Sequence, residues 1–249
     1  MTGGMLMRLM RWFSKRILGL TSEIPINARH FEKSIISSLD DDPATPNDFL
    51  LDTAISAVQE ARRLSLNDLV DRMKKPPHYP NVWPGEHYKL LAGLVTVLRP
   101  KLVVEVGTYT GLSALTIFRH LPANGSLVTF DLQPWNQFSE TVLCQEDFAD
   151  SRLIQKLGDL GQQSTFNRHK DLLANAELIF LDGPKDSSFE QRFLDMLEQL
   201  PTAPNLVLML DDIRVWNMLK IWRNICKPKL DLTSFGHWSG TGLIHFVHK

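Results

Sequence analysis

The chain has 249 residues, 43% hydrophobic and 22% charged, proportions that exclude wholesale disorder and a fibrous architecture. Its 27 basic residues nearly cancel 28 acidic ones, and the net charge of −1 gives no global field for steering onto nucleic acid. Two cysteines, Cys144 and Cys226, are too few for a disulfide framework or a Cys-rich zinc site, and their helix-like surroundings predict buried thiols in a cytoplasmic protein.

No apolar run reaches the roughly 18 residues needed to span a bilayer, so no transmembrane segment is expected. Residues 5–20 mix Leu6, Leu9, Met10, Trp12, Phe13, Ile17 and Leu18 with Arg8, Arg11, Lys15 and Arg16. That basic amphipathic pattern predicts a helix docked on its own domain or on a second subunit of a homodimer, with peripheral membrane contact as the alternative. It lacks the uninterrupted apolar stretch and cleavage site of a secretory signal. After a turn-rich break from Asp40 to Asn47, apolar positions Leu51, Ile55, Val58 and Leu64, with Ala54 and Ala61, recur at helical spacing. Pro76, Pro77, Pro80 and Pro84 mark an extended stretch, and Tyr88, Leu91, Leu94, Val95 and Leu98 predict a further helix ending near Pro100. Residues 1–81 are expected to form a helical N-terminal extension and residues 82–249 the main domain.

Beyond Pro100, short apolar runs at 102–106, 127–130, 153–157, 178–181 and 206–210 read as buried strands. They alternate with helices placed around 112–121, 137–149, 164–174, 187–200 and 213–225, an order that implies an α/β fold with a parallel sheet and helices on both faces. Runs at 232–235 and 243–247 are separated only by residues 236–242, too few for a helical crossover, so an antiparallel hairpin closes a mostly parallel, seven-stranded sheet. Trp216, Met218 and Trp222 fall at core spacing on the last helix and read as packing. His87, His169 and His245 have no partners at metal-ligand spacing and read as structural.

In such sheets ligands bind beyond the carboxyl ends of the strands. The first strand there runs into Glu105, Gly107, Thr108, Tyr109, Gly111 and Ser113. This E-x-G-x-x-x-G spacing is not the G-x-G-x-x-G of a dinucleotide site, and an anionic Glu105 would repel phosphates. The carboxylate would attract an α-ammonium, and Ser113 with the helix N-terminus could receive an α-carboxylate. S-adenosylmethionine carries both groups. Asp131, followed by Leu132, ends the second strand and can accept from both ribose hydroxyls, and Gly158, Asp159 and Leu160 after the third suit an adenine.

With these motifs in order, residues 82–247 resemble a class I S-adenosylmethionine-dependent methyltransferase of the catechol O-methyltransferase-like group, with its Rossmann-like fold. The resemblance rests on Glu105, Gly107, Tyr109, Gly111 and Ser113. It implies an acid on the ribose at Asp131 and a donor-wrapping segment at Val82 to Glu86, with Val82 and Gly85 on the donor and Trp83 toward the acceptor. Farther along the same edge lie Asp182 with Lys185, and the pair Asp211 and Asp212. Three converging carboxylates would repel unless a cation lies between them or one is protonated, and oxygen-only ligands favour magnesium, manganese or calcium. The resemblance implies metal ligands at Asp182, Asp211 and Asp212, donor contact at Asp182 and a catalytic lysine at Lys185.

Two departures from the group's pattern stand out. Asp212 replaces a common Asn, and Gly183-Pro184 replaces an aromatic pair, so a catechol acceptor is not expected. His237 and Trp238 in the closing hairpin either shape the acceptor pocket, with Trp83 and Lys185, or His237 is simply exposed and Trp238 fills a hydrophobic gap. The expected function is metal-assisted O-methylation of a hydroxylated small molecule or sugar. The alternatives are a metal-independent enzyme with Asp182 or Asp212 as base, a non-catalytic adenosyl-binding module, and a nicotinamide-binding oxidoreductase. In a purely structural alternative, Asp182 and Asp211 only pair locally and Asp212 caps the next helix.

Overall fold

A computed structural model describes residues 44–74, 79–186 and 188–247, without the side chain of Trp216. The amphipathic stretch at 5–20, the start of the break at Asp40, and Pro76 and Pro77 lie outside these residues. Helices α1 (Asp48–Arg63), α2 (Asn67–Val70) and α3 (Tyr88–Leu98) precede β1 (Leu102–Val106). Then follow α4 (Leu112–His120), β2 (Ser126–Asp131), β3 (Leu153–Leu157), α5 (Gln163–Arg168), α6 (Lys170–Ala174) and β4 (Leu178–Leu181). The chain continues through α7 (Phe189–Leu197), β5 (Val207–Asp211), α8 (Trp216–Asn224), β6 (Lys229–Asp231) and β7 (Thr241–His245). No helix among the described residues is long and apolar enough to cross a membrane.

The strands form one seven-stranded sheet in the order β3-β2-β1-β4-β5-β7-β6. β1 to β5 are parallel, and β7 runs antiparallel to both β5 and β6. Because side chains alternate along a strand, the central strands feed two cores. Val103, Leu127, Phe180 and Met209 pack with α1, α3 and α4, while Val104, Phe130, Leu181 and Leu208 pack with α5 to α8. The chain leaves β1 toward β2 and β3, then returns to β4 on the other side. This reversal opens a crevice at the carboxyl ends of β1 and β4.

The helix from Asp48 begins where the Asn47 side chain accepts from Leu50 N at 3.0 Å. Its buried face agrees with expectation at Ala54 and Ala61, but Ile55 is 57% exposed and Leu51, Val58 and Leu64 are half-buried. Small residues face inward because α3 lies close: a Cβ on Gly93 would stand 2.3 Å from the Ala57 carbonyl oxygen.

Three further expectations need correction. Residues 137–149 are not a helix but an irregular loop with short 3-10 turns at Trp135–Gln137 and Gln145–Phe148. Its polar side chains bond their own backbone, Thr141 Oγ1 accepting from Leu143 N at 3.2 Å and Asp147 Oδ2 from Cys144 N at 2.9 Å, which competes with helical bonding. Arg72 fastens the loop by donating to both Asp147 oxygens, at 2.9 and 2.7 Å. The strand expected at 232–235 lies earlier, at Lys229–Asp231, because Asp231 Oδ1 accepts from Thr233 N at 2.9 Å and from its hydroxyl at 2.6 Å, turning the chain. Cys144 is half-buried and Cys226 exposed, so the thiols are not the buried pair expected.

Candidate active site

At the crevice, Asp182 N donates to Val106 O at 3.0 Å, and a Cβ on Gly107 would stand 2.2 Å from Asp182 O. With φ at +103°, position 107 suits glycine on both counts. A cleft of about 450 Å³ opens here, lined by Gly107, Tyr109, Asp131, Leu132, Gly158, Asp159, Leu160 and Asp182, and also by Phe189 and Arg192. Asp131 is held at its mouth by Tyr109 N at 2.8 Å and Gln133 N at 3.1 Å, leaving lone pairs free.

The other residues expected around the donor lie outside this lining. Thr108 pins β1 to β2 through its hydroxyl, 2.7 Å from that of Thr129. Gly111, at φ +84°, lies against the Leu143 side chain, and Ser113 is buried in the first turn of α4. Glu105 is fully buried with neither carboxylate oxygen hydrogen-bonded, and burial pushes its pKa up to about 8, partly offset by the nearby Ser113 and Thr129 hydroxyls. Val82 is half exposed, and Gly85 is stitched to the closing hairpin, its N donating to Gly236 O at 3.0 Å and its O accepting from Trp238 N at 2.9 Å. Trp83 joins the same hairpin by donating Nε1–H to Phe235 O at 2.7 Å.

Beside the cleft, Asp182, Asp211 and Asp212 bring carboxylate oxygens within 4.8 Å of one another. The neighbouring strands β4 and β5, paired Leu181 to Leu210, deliver them. Lys185 Nζ donates to Asp182 Oδ1 and to Gly183 O at 3.0 Å, and lies 3.3 Å from Asp212 Oδ2. Burial acts to lower the Lys185 pKa, but Asp182, Asp211 and Asp212 outweigh it and hold the ammonium above its ordinary range. Burial likewise raises Asp182 despite the neighbouring lysine.

On the other side, His237 Nδ1 lies 3.1 Å from Asp211 Oδ2 and 2.8 Å from Ser239 Oγ, and its Nε2 is 3.7 Å from Glu86 Oε2. Burial would lower His237, but bonding to Asp211 and Asp212 pushes it up to about 10. Against the alternative of a simply exposed His237 and a gap-filling Trp238, His237 is half-buried in the cluster and Trp238 is 75% exposed. Asp212 accepts from the Ser239 hydroxyl and does not cap α8, whose N-cap Val215 has no side-chain cap bond.

Sequence reasoning missed His87 and Ser239, and placed Glu86 only at the end of the donor-wrapping segment. His87, expected to be merely structural, lies with Nδ1 3.4 Å from Asp211 Oδ2. His169 stacks edge-on with Phe130, and His245 Nδ1 bonds Asn47 Nδ2 at 2.9 Å, both away from the cluster as expected. The signal for His87 is its place in a run, Trp83 to His87, immediately before a helix.

The family model for O-methyltransferases matches residues 55–216. The chain belongs to this O-methyltransferase family. The match begins upstream of residue 82, where the resemblance read from the sequence starts, and includes most of α1. No curated protein matches by sequence. Among solved structures, a candidate caffeoyl-CoA O-methyltransferase from Staphylococcus aureus is 13% identical with a TM-score of 0.53, covering 79% of this chain and all of its own, a likeness of fold. A methyltransferase from Podospora anserina bound to S-adenosylhomocysteine is 16% identical with a TM-score of 0.48, over 100% of this chain and 97% of that one. A Streptomyces achromogenes O-methyltransferase of tomaymycin synthesis, in complex with S-adenosylmethionine, is 17% identical with a TM-score of 0.47, over 82% and 92% of the two chains. Membership of the family sets aside the nicotinamide-binding oxidoreductase.

Proposed function

We propose that the chain transfers the methyl group of S-adenosylmethionine to a hydroxyl oxygen of a small molecule or sugar, assisted by a divalent ion. The observation that carries this reading is the double role of Asp182, which lines the cleft and also bonds Lys185 beside Asp211 and Asp212. A donor in the cleft would then present its reacting end to the cluster that holds the acceptor. We read Asp131 as the acceptor from the ribose hydroxyls and Gly158 to Leu160 as the adenine wall. Glu105 and Ser113 receive the donor's α-ammonium and α-carboxylate. The orphaned oxygens of Glu105 support that role, because a cation reaching them would restore the charge that burial suppresses.

In the transfer, the acceptor oxygen bonds to the methyl carbon as the carbon–sulfur bond breaks, and S-adenosylhomocysteine leaves. Positioning of the two reactants supplies much of the rate. Trp83, His237 and Trp238 border the acceptor side, where the hairpin and the strap at Val82 to Glu86 meet. The donor set of three close carboxylates fits a hard divalent cation. Such an ion on Asp182, Asp211 and Asp212 would supply Lewis acidity, lowering the pKa of the acceptor hydroxyl and offsetting the anionic field that holds the Lys185 proton. Lys185, after releasing its own proton to solvent, takes the hydroxyl proton at Nζ.

The test is methyl transfer from labelled S-adenosylmethionine to a panel of hydroxylated acceptors, with and without a chelator. The expected outcome is transfer abolished by chelation and lowered about 100-fold or more by Lys185→Met, with donor affinity little changed. A second reading is favoured by the ion pairs of Lys185 with Asp182 and Asp212, which supply positive charge to the cluster from within. In it, Asp182 or Asp212 is the base, and transfer persists in chelator. Donor binding without transfer to any acceptor would leave a non-catalytic adenosyl-binding module.

A further inference from the structure

His87 is 3% exposed, and neither of its ring nitrogens makes a hydrogen bond among the described residues. Burying an imidazole in this way is costly unless something else satisfies a nitrogen. It faces Asp211, with Nδ1 3.4 Å from Oδ2, and on the other side of that carboxylate His237 Nδ1 is 3.1 Å from the same oxygen. Two ligands about 2.1 Å from one ion stand roughly 3.0 Å apart at octahedral angles and 3.4 Å apart at tetrahedral ones. The two spacings fall within the range for neighbouring ligands of one ion, and the shorter is also that of the hydrogen bond between His237 and Asp211. The two rings lie edge to face, 5.5 Å between centroids, so neither blocks the other's approach to Asp211.

The backbone builds this arrangement. Gly85 is bonded on both sides to the hairpin, to Gly236 O and from Trp238 N, which sets the strap carrying His87 beside the loop carrying His237. β5 brings Asp211 up between them. In the neighbouring carboxylate trio, by contrast, the Lys185 ammonium already engages both Asp182 and Asp212.

We infer that His87, Asp211 and His237 form a two-histidine, one-carboxylate site for a first-row divalent transition ion such as Mn2+, Fe2+, Co2+ or Zn2+. Two imidazole nitrogens beside one carboxylate select such ions over Mg2+ and Ca2+, which prefer oxygen alone. The inference rests on the ion-assisted reading above and changes its ion: Asp211 remains a ligand, with His87 and His237 beside it in place of Asp182 and Asp212.

The experiment is Mn2+ titration into the full-length protein saturated with S-adenosylhomocysteine, followed by electron spin echo spectroscopy of the bound ion. The expected result is stoichiometric binding that Mg2+ displaces only at about 100-fold or greater excess, with nitrogen modulation from coordinated imidazole. His237→Gln should weaken Mn2+ about tenfold or more and reduce that modulation while S-adenosylhomocysteine still binds. His87→Gln should do the same, and should it fail to fold, the His237 variant and the nitrogen signal decide the matter without it. Bound Mn2+ with no nitrogen modulation, lost instead in Asp212→Asn, overturns the inference and leaves the three-aspartate site standing. No Mn2+ binding while S-adenosylhomocysteine binds overturns both the inference and the ion's part in the proposed function.

Discussion

Along the ends of β1, β2 and β3 the site is shaped by backbone, whereas along β4, β5 and β7 it is shaped by charged side chains. On the first side, Gly107 lies where no Cβ fits, Asp131 is oriented by two amides, and Glu105 is buried with neither carboxylate oxygen hydrogen-bonded. On the second, Asp182, Asp211 and Asp212 are met by Lys185, His87 and His237 within ion-pair distance. The first arrangement leaves a carboxylate that a bound cation would complete. The second compensates its charges internally, so its stability and its chemistry depend on the same contacts.

That contrast can be broken at either side, with the larger effect expected on the charged one. Asp211→Ala leaves His87 and His237 without their shared carboxylate in a buried setting and should cost about 3–5 kcal/mol, read by urea denaturation at neutral pH. A loss below about 1 kcal/mol would mean that the network does not hold the hairpin to β5. Glu105→Gln probes the other side through pH. The folded protein keeps the Glu105 proton up to about 8, while the unfolded chain releases it near the ordinary value of 4.5, so this residue makes stability fall as pH rises across that window. The Gln variant should match the parent at pH 4, be the more stable of the two at pH 9, and bind S-adenosylhomocysteine about tenfold or more weakly. Equal stability at pH 9 would mean that Glu105 has a partner that satisfies its charge.

The same contrast governs how much could be read from sequence. The parallel strands and the donor motifs are local: a strand, its terminal residue and the following turn occupy a few consecutive positions, so Glu105 to Ser113, Asp131 and Gly158 to Leu160 stand out one by one. Asp182, Asp211 and Asp212 were legible because each ends a strand of the same sheet, and adjacent strands bring their ends together. His87 and Ser239 were not, because their partners come from distant segments joined by the Gly85 bridge to the hairpin, a pairing with no periodicity to betray it. The 137–149 loop misled for a related reason. Its helix-like composition gave way to side-chain bonds to its own backbone and to Arg72 from a distant segment.

We propose the cleft as the donor site and the cluster beside it as the place of reaction. Calorimetric titration of S-adenosylhomocysteine into the wild-type protein, Asp131→Ala and Lys185→Met tests this most directly. One saturable site is expected in the wild type, weakened about tenfold or more by Asp131→Ala and little changed by Lys185→Met. Absence of binding to the wild type, or binding indifferent to Asp131, would contradict it.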